Sequence, residues 1–259
     1  MLRLFAALLG IFVLLFAGRV EATDGESLHL LLLSAQDMNT PQTLLRADIA
    51  IEVESPQAKH MTTAIAIFAP GKDARWYWQQ RDPALRALVV GADRKVIEQQ
   101  GSTTGTVPIG APIDSLSIAY EDLSRYIVDD FKMQQITDEA ADHILVSMHP
   151  AVDSAYVYRA YTFDKEKTVP TKIQFYAKTL NNLVKLRQDS DHTLIGKKWM
   201  PTKIDIQNYP DNTTTHLTIK WTPNATAPPE LLVASSFPAT SPLPSDVPAK
   251  PTSTPPDAK

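Results

Sequence analysis

The chain of 259 residues carries a formal net charge of −4 at neutral pH, and no stretch of it is strongly basic. This charge disfavours nucleic acid and anionic membrane surfaces as partners. The sequence contains no cysteine, which excludes disulfides, thiolate metal sites and cysteine nucleophiles. We therefore expect the hydrophobic core alone to stabilise the fold.

The N-terminus has the pattern of a secretory signal peptide. Arg3 precedes an apolar run from Leu4 to Ala17, and Val20-Glu21-Ala22 ends in the small residue that cleavage requires. The run is shorter than the roughly 20 residues that a retained membrane anchor would need. We expect a signal peptide over residues 1–22, cleaved after Ala22, and a periplasmic mature protein. An acyl anchor is not expected, because it would require a cysteine.

The first predicted elements are a helix and a series of strands. Ser27 to Met38 predicts a helix whose leucines must pack against an apolar surface. From Leu45 to Val53 apolar and polar residues alternate, which indicates a strand with one buried face. Turn residues separate the strands that follow, which are predicted at Met61 to Ala69, Arg75 to Trp78, Leu85 to Val90 and Lys95 to Gln99.

The middle of the chain changes character. Residues 101–112 are rich in Gly, Ser, Thr and Pro and predict a mobile loop. Between Ile113 and Asp130 the apolar residues fall three to four apart, which predicts a helix.

The second half returns to strands. The predicted strands are Phe131 to Ile136, His143 to Met148, Ala155 to Phe163, Thr171 to Lys178 and Leu183 to Gln188. A final pair is predicted from Ile204 and Ile206, two residues apart, and from Leu217, Ile219 and Trp221, with a turn at residues 209–212.

These elements predict a mainly β (α+β) domain of about eleven strands and two helices over residues 23–237. Strands do not alternate with helices, so we expect one strongly curved antiparallel sheet, with the helices covering its concave side. Residues 238–259 contain many prolines and few apolar side chains, which predicts a disordered tail.

The catalytic patterns of several common enzyme classes do not occur in the sequence, which favours a protein that is not an enzyme. The nucleophile-elbow pattern, the His-Glu-x-x-His pattern and the phosphate loop are all missing from the sequence. His143 and His149 would share a face of one strand, but two histidines do not make a zinc site. The carboxylates of Glu121-Asp122 and Asp129-Asp130 could act as acid and base, although a polar helix face explains them more simply. We expect no catalytic residue, metal or cofactor.

The aromatic strand Trp76-Tyr77-Trp78 presents large rings to both faces of the sheet. Such rings could stack on a sugar or a base. Packing in an apolar interior is the more common use of these side chains.

Three motifs together resemble the outer-membrane lipoprotein-sorting protein family, relatives of the periplasmic lipoprotein carriers LolA and LolB. The first is Tyr120-Glu121-Asp122-Leu123 after a loop, and the second is the strand from Val169 to Tyr176, with its Pro-x-Lys start. The third is Lys198-Trp199-Met200-Pro201-Thr202, at the start of a strand. The resemblance extends over most of residues 27–237. It implies an unclosed β-barrel with a helical lid and an apolar cavity.

Two functions are compatible with this pattern. The resemblance implies a periplasmic carrier or binding protein for a lipid or an acylated protein, as in outer-membrane lipoprotein sorting. We expect inward-facing residues to line its cavity, although a shift of one residue would exchange the faces. These candidate ligand-binding residues are Ile49, Ile51, Ile65, Ile67, Trp76, Trp78, Ile173, Phe175, Ile204 and Ile206.

The alternative is a non-catalytic accessory or interaction module of a cell-envelope or exporter complex. In that case the apolar face is filled by its own side chains, and the Pro-rich tail or a sheet edge engages a membrane exporter or another envelope protein. An enzyme acting on envelope polymers is a third hypothesis. An open pocket of roughly several hundred Å³ would favour the carrier over the module.

Overall fold

The computed structural model describes residues 25–71 and 73–244. The predicted signal peptide and residues 245–259 of the Pro-rich tail lie outside the described residues. None of the helices within the described ranges is long and apolar enough to span a membrane.

The described residues form thirteen strands, which belong to a single sheet, and two α-helices. The helices are α1 (Gly25–Asn39) and α2 (Tyr120–Leu123). The first six strands are β1 (Leu45–Glu54), β2 (Lys59–Phe68), β3 (Trp76–Gln80), β4 (Leu85–Val90), β5 (Lys95–Gln100) and β6 (Thr103–Pro108). The other seven are β7 (Phe131–Glu139), β8 (His143–Pro150), β9 (Tyr158–Asp164), β10 (Val169–Tyr176), β11 (Leu183–Ile195), β12 (Lys198–Asn208) and β13 (Thr213–Thr222).

The sheet consists of two antiparallel meanders. Strands β1 to β6 form one and β7 to β13 the other, and the pairing of β1 with β13 joins them. Strands β6 and β7 therefore lie at opposite edges, and the sheet does not close into a barrel. This arrangement confirms the predicted mainly β, unclosed antiparallel architecture, with two more strands than expected.

The sheet is strongly curved. Trp76 on β3 and Tyr161 on β9 are seven strand positions apart, which corresponds to about 34 Å in a flat sheet. Both side chains nevertheless line one cavity. The face that carries them is called the inner face below, and the opposite face is called the outer face.

Helix α1 packs on the inner face, at strands β10 and β12. Leu28, Leu32 and Ala35 repeat at the helical spacing and are buried, and they join the cluster that contains Phe131 and Phe175. The predicted leucine-rich helix and its apolar contact are therefore confirmed.

The helix predicted over residues 113–130 is wrong except for the single turn of α2. Ser115 and Ser117 have positive φ angles of 63° and 55°, a conformation that interrupts a right-handed helix. Strand side chains replace the helical hydrogen bonds: the Thr215 hydroxyl donates to the Leu116 carbonyl at 2.5 Å, and Asn208 donates to the Ser117 carbonyl at 3.1 Å.

The loop predicted over residues 101–112 contains strand β6. It pairs with β5 along its whole length, but five of its six residues are exposed. An exposed edge strand has no buried face, so it lacks the apolar alternation that would indicate it in the sequence.

The outer face of β2, β3 and β4 has its own apolar cluster. Ile65, Ile67 and Tyr77 pack there against Leu231 and Phe237 from the chain after β13. In the observed register Ala64 and Ala66 lie opposite Ile49 and Ala47 on the inner face. Ile65 and Ile67 therefore lie on the outer face and not in the cavity, where we expected them. The bulkier residues of β2 pack in the outer-face cluster, and its alanines face inward.

The segment after β13 remains attached to the outer face as far as Leu243. The Gln79 side chain donates to the Leu243 carbonyl at 2.9 Å and accepts from the Leu243 amide at 2.8 Å. The Gln99 amide donates to the Pro238 carbonyl at 3.3 Å. The first residues of the predicted tail thus contact the sheet, while the domain boundary at residue 237 stays a prediction.

Candidate apolar cavity

A cavity of about 80 Å³ lies between the inner face, the C-terminal end of α1 and residues 123–126. Eight strands, from both meanders, contribute to its wall, so it exists only because the sheet curves. The wall consists of Asn39, Pro41, Leu45, Ile49, Ala66, Phe68, Trp76, Trp78, Leu123, Ser124, Arg125, Tyr126, Tyr161, Pro170, Ile173, Arg187, Asp189, Met200, Pro201, Ile204, Leu217, Ile219 and Trp221.

The ten residues predicted to line a cavity fall into three groups. Five lie in the wall: Ile49, Trp76, Trp78, Ile173 and Ile204. Three are buried in the inner-face clusters next to it: Ile51, Ile206 and Phe175. The remaining two, Ile65 and Ile67, are on the outer face.

One side of the wall is aromatic. The ring of Phe68 stacks on Trp76 with centroids 5.7 Å apart and contacts Trp221 at 5.8 Å. Trp76 meets Trp78 edge-on at 6.1 Å. Tyr77, between them in sequence, points to the outer face. The prediction that this strand presents rings to both faces is confirmed. Phe68 and Trp221 were not predicted as wall residues, although each continues the alternation of an inner-facing strand.

The other side of the wall contains charged groups. Arg187 binds Asp189 through two parallel hydrogen bonds of 2.7 Å each and donates to the Asp122 carbonyl at 2.7 Å. Both side chains are almost fully buried. The bidentate geometry satisfies the guanidinium and the carboxylate, as a charge pair in an apolar setting requires.

A buried ion-pair network lies behind this wall. Glu121 on α2 is bound by Arg94 and Arg159 and accepts a hydrogen bond from the Ala155 amide at 3.0 Å. Burial by itself would raise the pKa of Glu121, but Arg159, the Ala155 amide and Arg94 hold it below its ordinary value. The carboxylate is therefore ionised at neutral pH and ties α2 to the turn before β5 and to β9.

Its neighbour Asp122 forms a second set of contacts. Asp122 pairs with Lys185 at 2.6 Å, accepts from the Ala119 amide at 2.7 Å and contacts the Tyr156 hydroxyl. The prediction that Glu121 and Asp122 form a polar helix face is wrong, because both carboxylates have no exposed surface. The sequence contains one signal that could have indicated these partners. Basic residues such as Lys185 occupy inward positions of strands, where they need buried carboxylates as counter-ions.

The two histidines considered as ligands have other contacts. The His143 ring lies 2.8 Å from the Asp142 carboxylate, and the His149 ring packs edge-on against Tyr158. No group of three or more potential metal-ligating residues occurs within residues 25–71 and 73–244.

Comparisons with known proteins agree in the fold. A family model described as "Uncharacterized protein" matches residues 116–230, and no curated protein matches the sequence. Among solved structures, a LolA superfamily protein from Nitrosomonas europaea has a TM-score of 0.66 and 15% identity, with 80% of this chain and 97% of the other covered.

Two further structures are similar to the same extent. An outer membrane lipoprotein-sorting protein domain from Vibrio parahaemolyticus has a TM-score of 0.67 at 13% identity, and a DUF1329 family protein from Desulfovibrio piger has 0.68 at 13% identity. Each alignment covers 81% of this chain and 97% of the other. The chain thus has the LolA-like fold that its motifs predicted, and identities this low extend no further than the fold.

Proposed function

We propose that the protein is a periplasmic carrier or binding protein for a lipid, or for the acyl chains of a lipid-modified protein. The observation that carries this proposal is a largely apolar, aromatic cavity on a LolA-like fold, bounded by the inner face, the C-terminal end of α1 and residues 123–126. Each methylene group that moves from water into such a site contributes about 0.8 kcal/mol. This function needs no catalytic residue, metal or cofactor.

The ligand would enter by displacing the elements that cover the cavity. A volume of about 80 Å³ corresponds to only about three water molecules at roughly 30 Å³ each, so a long chain requires a wider cavity. Helix α1 is a candidate for this movement, since it buries three residues. Its polar contacts include Gln36 with the Val128 amide at 2.7 Å and Asp37 with Lys198 at 2.6 Å.

The small volume also favours the alternative, a non-catalytic module of an envelope or exporter complex. In that reading the inner face is filled by its own side chains and the molecule acts through its surface. Strand β6 (Thr103–Pro108) lies at one edge of the sheet. The backbone groups on its unpaired edge would be available for pairing with a strand of a partner protein. The predicted signal peptide supports a periplasmic location in both readings.

The two functions can be separated by the lipid content of the purified protein. Protein is isolated from the periplasm without detergent, and an organic extract is analysed by mass spectrometry. A stoichiometric phospholipid or acyl species supports the carrier and identifies its ligand class. An extract without lipid contradicts the carrier and favours the module.

A matched pair of variants tests where the lipid lies. Ile49→Asp places a charge in the cavity wall, whereas Ala50→Asp places the same charge at the exposed neighbouring position of β1. We expect the first variant to lose the bound lipid and the second to retain it. Equal lipid content in folded samples of both variants would refute binding at the inner face.

A further inference from the structure

Several residues of the cavity wall have hydrogen-bond donors without acceptors. Within the described part of the chain, no acceptor is found for the buried indole nitrogens of Trp76 and Trp78, the hydroxyl of Tyr126, or Nε and Nη2 of Arg125. Buried donors in folded proteins nearly always have a partner, so each unpaired one requires an explanation. A group of unpaired donors around one cavity indicates a ligand that supplies acceptor atoms.

Arg125 is the charged member of this group. Its Nη1 approaches the Gly71 carbonyl at 3.5 Å, and none of the ion pairs among the described residues includes it. Burial lowers the pKa of Arg125 to about 10, against the opposing effect of Asp73, so the guanidinium is still charged at neutral pH. The Arg125 side chain as a whole is half-buried, but its Nε and Nη2 have no exposed surface and no acceptor among the described residues. Buried donors of a charged group are costly to leave unpaired, and a bound anion would remove that cost.

The rest of the wall leaves this charge uncompensated. The wall has two arginines and one acidic residue, and that acid, Asp189, is fully engaged by Arg187. Two further polar wall residues are already bonded, since Asn39 donates to the Ala35 carbonyl and Ser124 to the Tyr120 carbonyl. The wall therefore has a net charge of +1, located at Arg125.

We propose that Arg125 binds the anionic head group, a carboxylate or a phosphate, of an amphiphile whose apolar chain lies in the cavity. The planar fork of a guanidinium suits both acids, and apart from the paired Arg187 and Asp189 the wall on the strand side is mainly aliphatic and aromatic. The inference rests on the proposed carrier function and adds that the ligand is an acid. A neutral diacylglyceryl chain would leave Arg125 without a counter-ion.

Three probes with the same saturated sixteen-carbon chain test this assignment: palmitate, hexadecyl phosphate and hexadecanol. Binding to delipidated full-length mature protein is followed by tryptophan fluorescence, because Trp76, Trp78 and Trp221 line the cavity. Loss of a charge-assisted hydrogen bond changes affinity by about tenfold or more. We therefore expect at least one acid to bind the wild type about tenfold more tightly than the alcohol.

The variant Arg125→Gln should weaken acid binding by about tenfold and leave hexadecanol binding unchanged. Arg125→Lys should retain part of the preference, since it keeps the charge and loses the fork. Lys220→Gln is the control, because it removes one positive charge from an exposed residue of β13 and should behave like the wild type. A preference for only one of the two acids would support the inference and identify the head group.

Other outcomes overturn the inference in distinguishable ways. Equal binding of acids and alcohol by the wild type would refute the role of Arg125 and leave the carrier function standing. The same conclusion follows if Arg125→Gln retains the acid preference. If the wild type binds none of the three probes, the carrier function fails and the head-group site fails with it. The wild-type comparison needs no variant, so it decides the matter even if Arg125→Gln does not fold.

Discussion

The buried carboxylate of Glu121 should be among the most sensitive positions of the fold. Glu121→Gln keeps the size of the side chain but removes the counter-ion that Arg94 and Arg159 share, and among the described residues only Arg94 has a second one, Asp130 at 3.2 Å. Arg159 is itself buried, so it cannot turn to water. Removal of one partner from a buried ion pair typically destabilises a protein by about 3–5 kcal/mol, and we expect a loss in that range.

The loss can be measured by urea unfolding followed by tryptophan fluorescence. Glu54→Gln is the control, because Glu54 forms an exposed pair with Lys59 at 2.9 Å, and exposed pairs contribute little. We expect the midpoint to fall strongly for Glu121→Gln and to stay near the wild-type value for the control. A loss below about 1 kcal/mol for Glu121→Gln would refute the view that this network stabilises the fold.

The contribution of Glu121 to the stability of the fold should also depend on pH. Its pKa is held below the ordinary value of 4.5 in the folded protein. The stabilisation is therefore complete above pH 4.5 and is lost as the pH falls through the lower, folded-state value. In acid, the free energy of unfolding of the wild type should accordingly approach that of Glu121→Gln. An advantage that is constant down to pH 2 would contradict the assigned ionisation.

Two further predictions concern the outer face. Removal of residues 245–259 should leave the melting temperature unchanged, whereas removal of residues 229–259 also deletes the buried Leu231 and Phe237. The longer deletion should destabilise by about 3 kcal/mol or more, and equal melting temperatures would contradict packing of this segment. Ile67→Ala should destabilise by about 2–5 kcal/mol without lowering the lipid content of the folded protein, and a loss of lipid in folded Ile67→Ala would place Ile67 at the ligand.

The sequence predicted individual strands well because a strand has a local signature. In β1 the alternation from Leu45 to Val53 identified both the strand and its buried face. The same pattern identified β12 and β13. It failed at β6, whose residues are exposed. At β2 it identified the strand but not its inner face, because Ile65 and Ile67 alternate as inner-facing residues would but belong to the outer cluster.

Faces and helices were less predictable where both sides of an element are covered. An alternation indicates two faces but does not indicate which one meets the cavity, and the register with β1 decides this for β2. The spacing of Leu116, Tyr120 and Leu123 suggested a helix. In the fold, Thr215 and Asn208 bind the carbonyls of this segment, and such distant partners leave no local trace in the sequence.

The sequence by itself determined the β class, the leucine-rich helix and the resemblance to lipoprotein-sorting proteins, because alternation, spacing and short motifs are local properties. Only the tertiary structure decided that strands β3 and β9 meet across one cavity, that Glu121 and Asp122 are buried ion-pair partners and that no ion pair among the described residues includes Arg125. Each of these features depends on residues that are distant in the chain and become neighbours when the sheet curves. Charge compensation and cavity shape are properties of that packing.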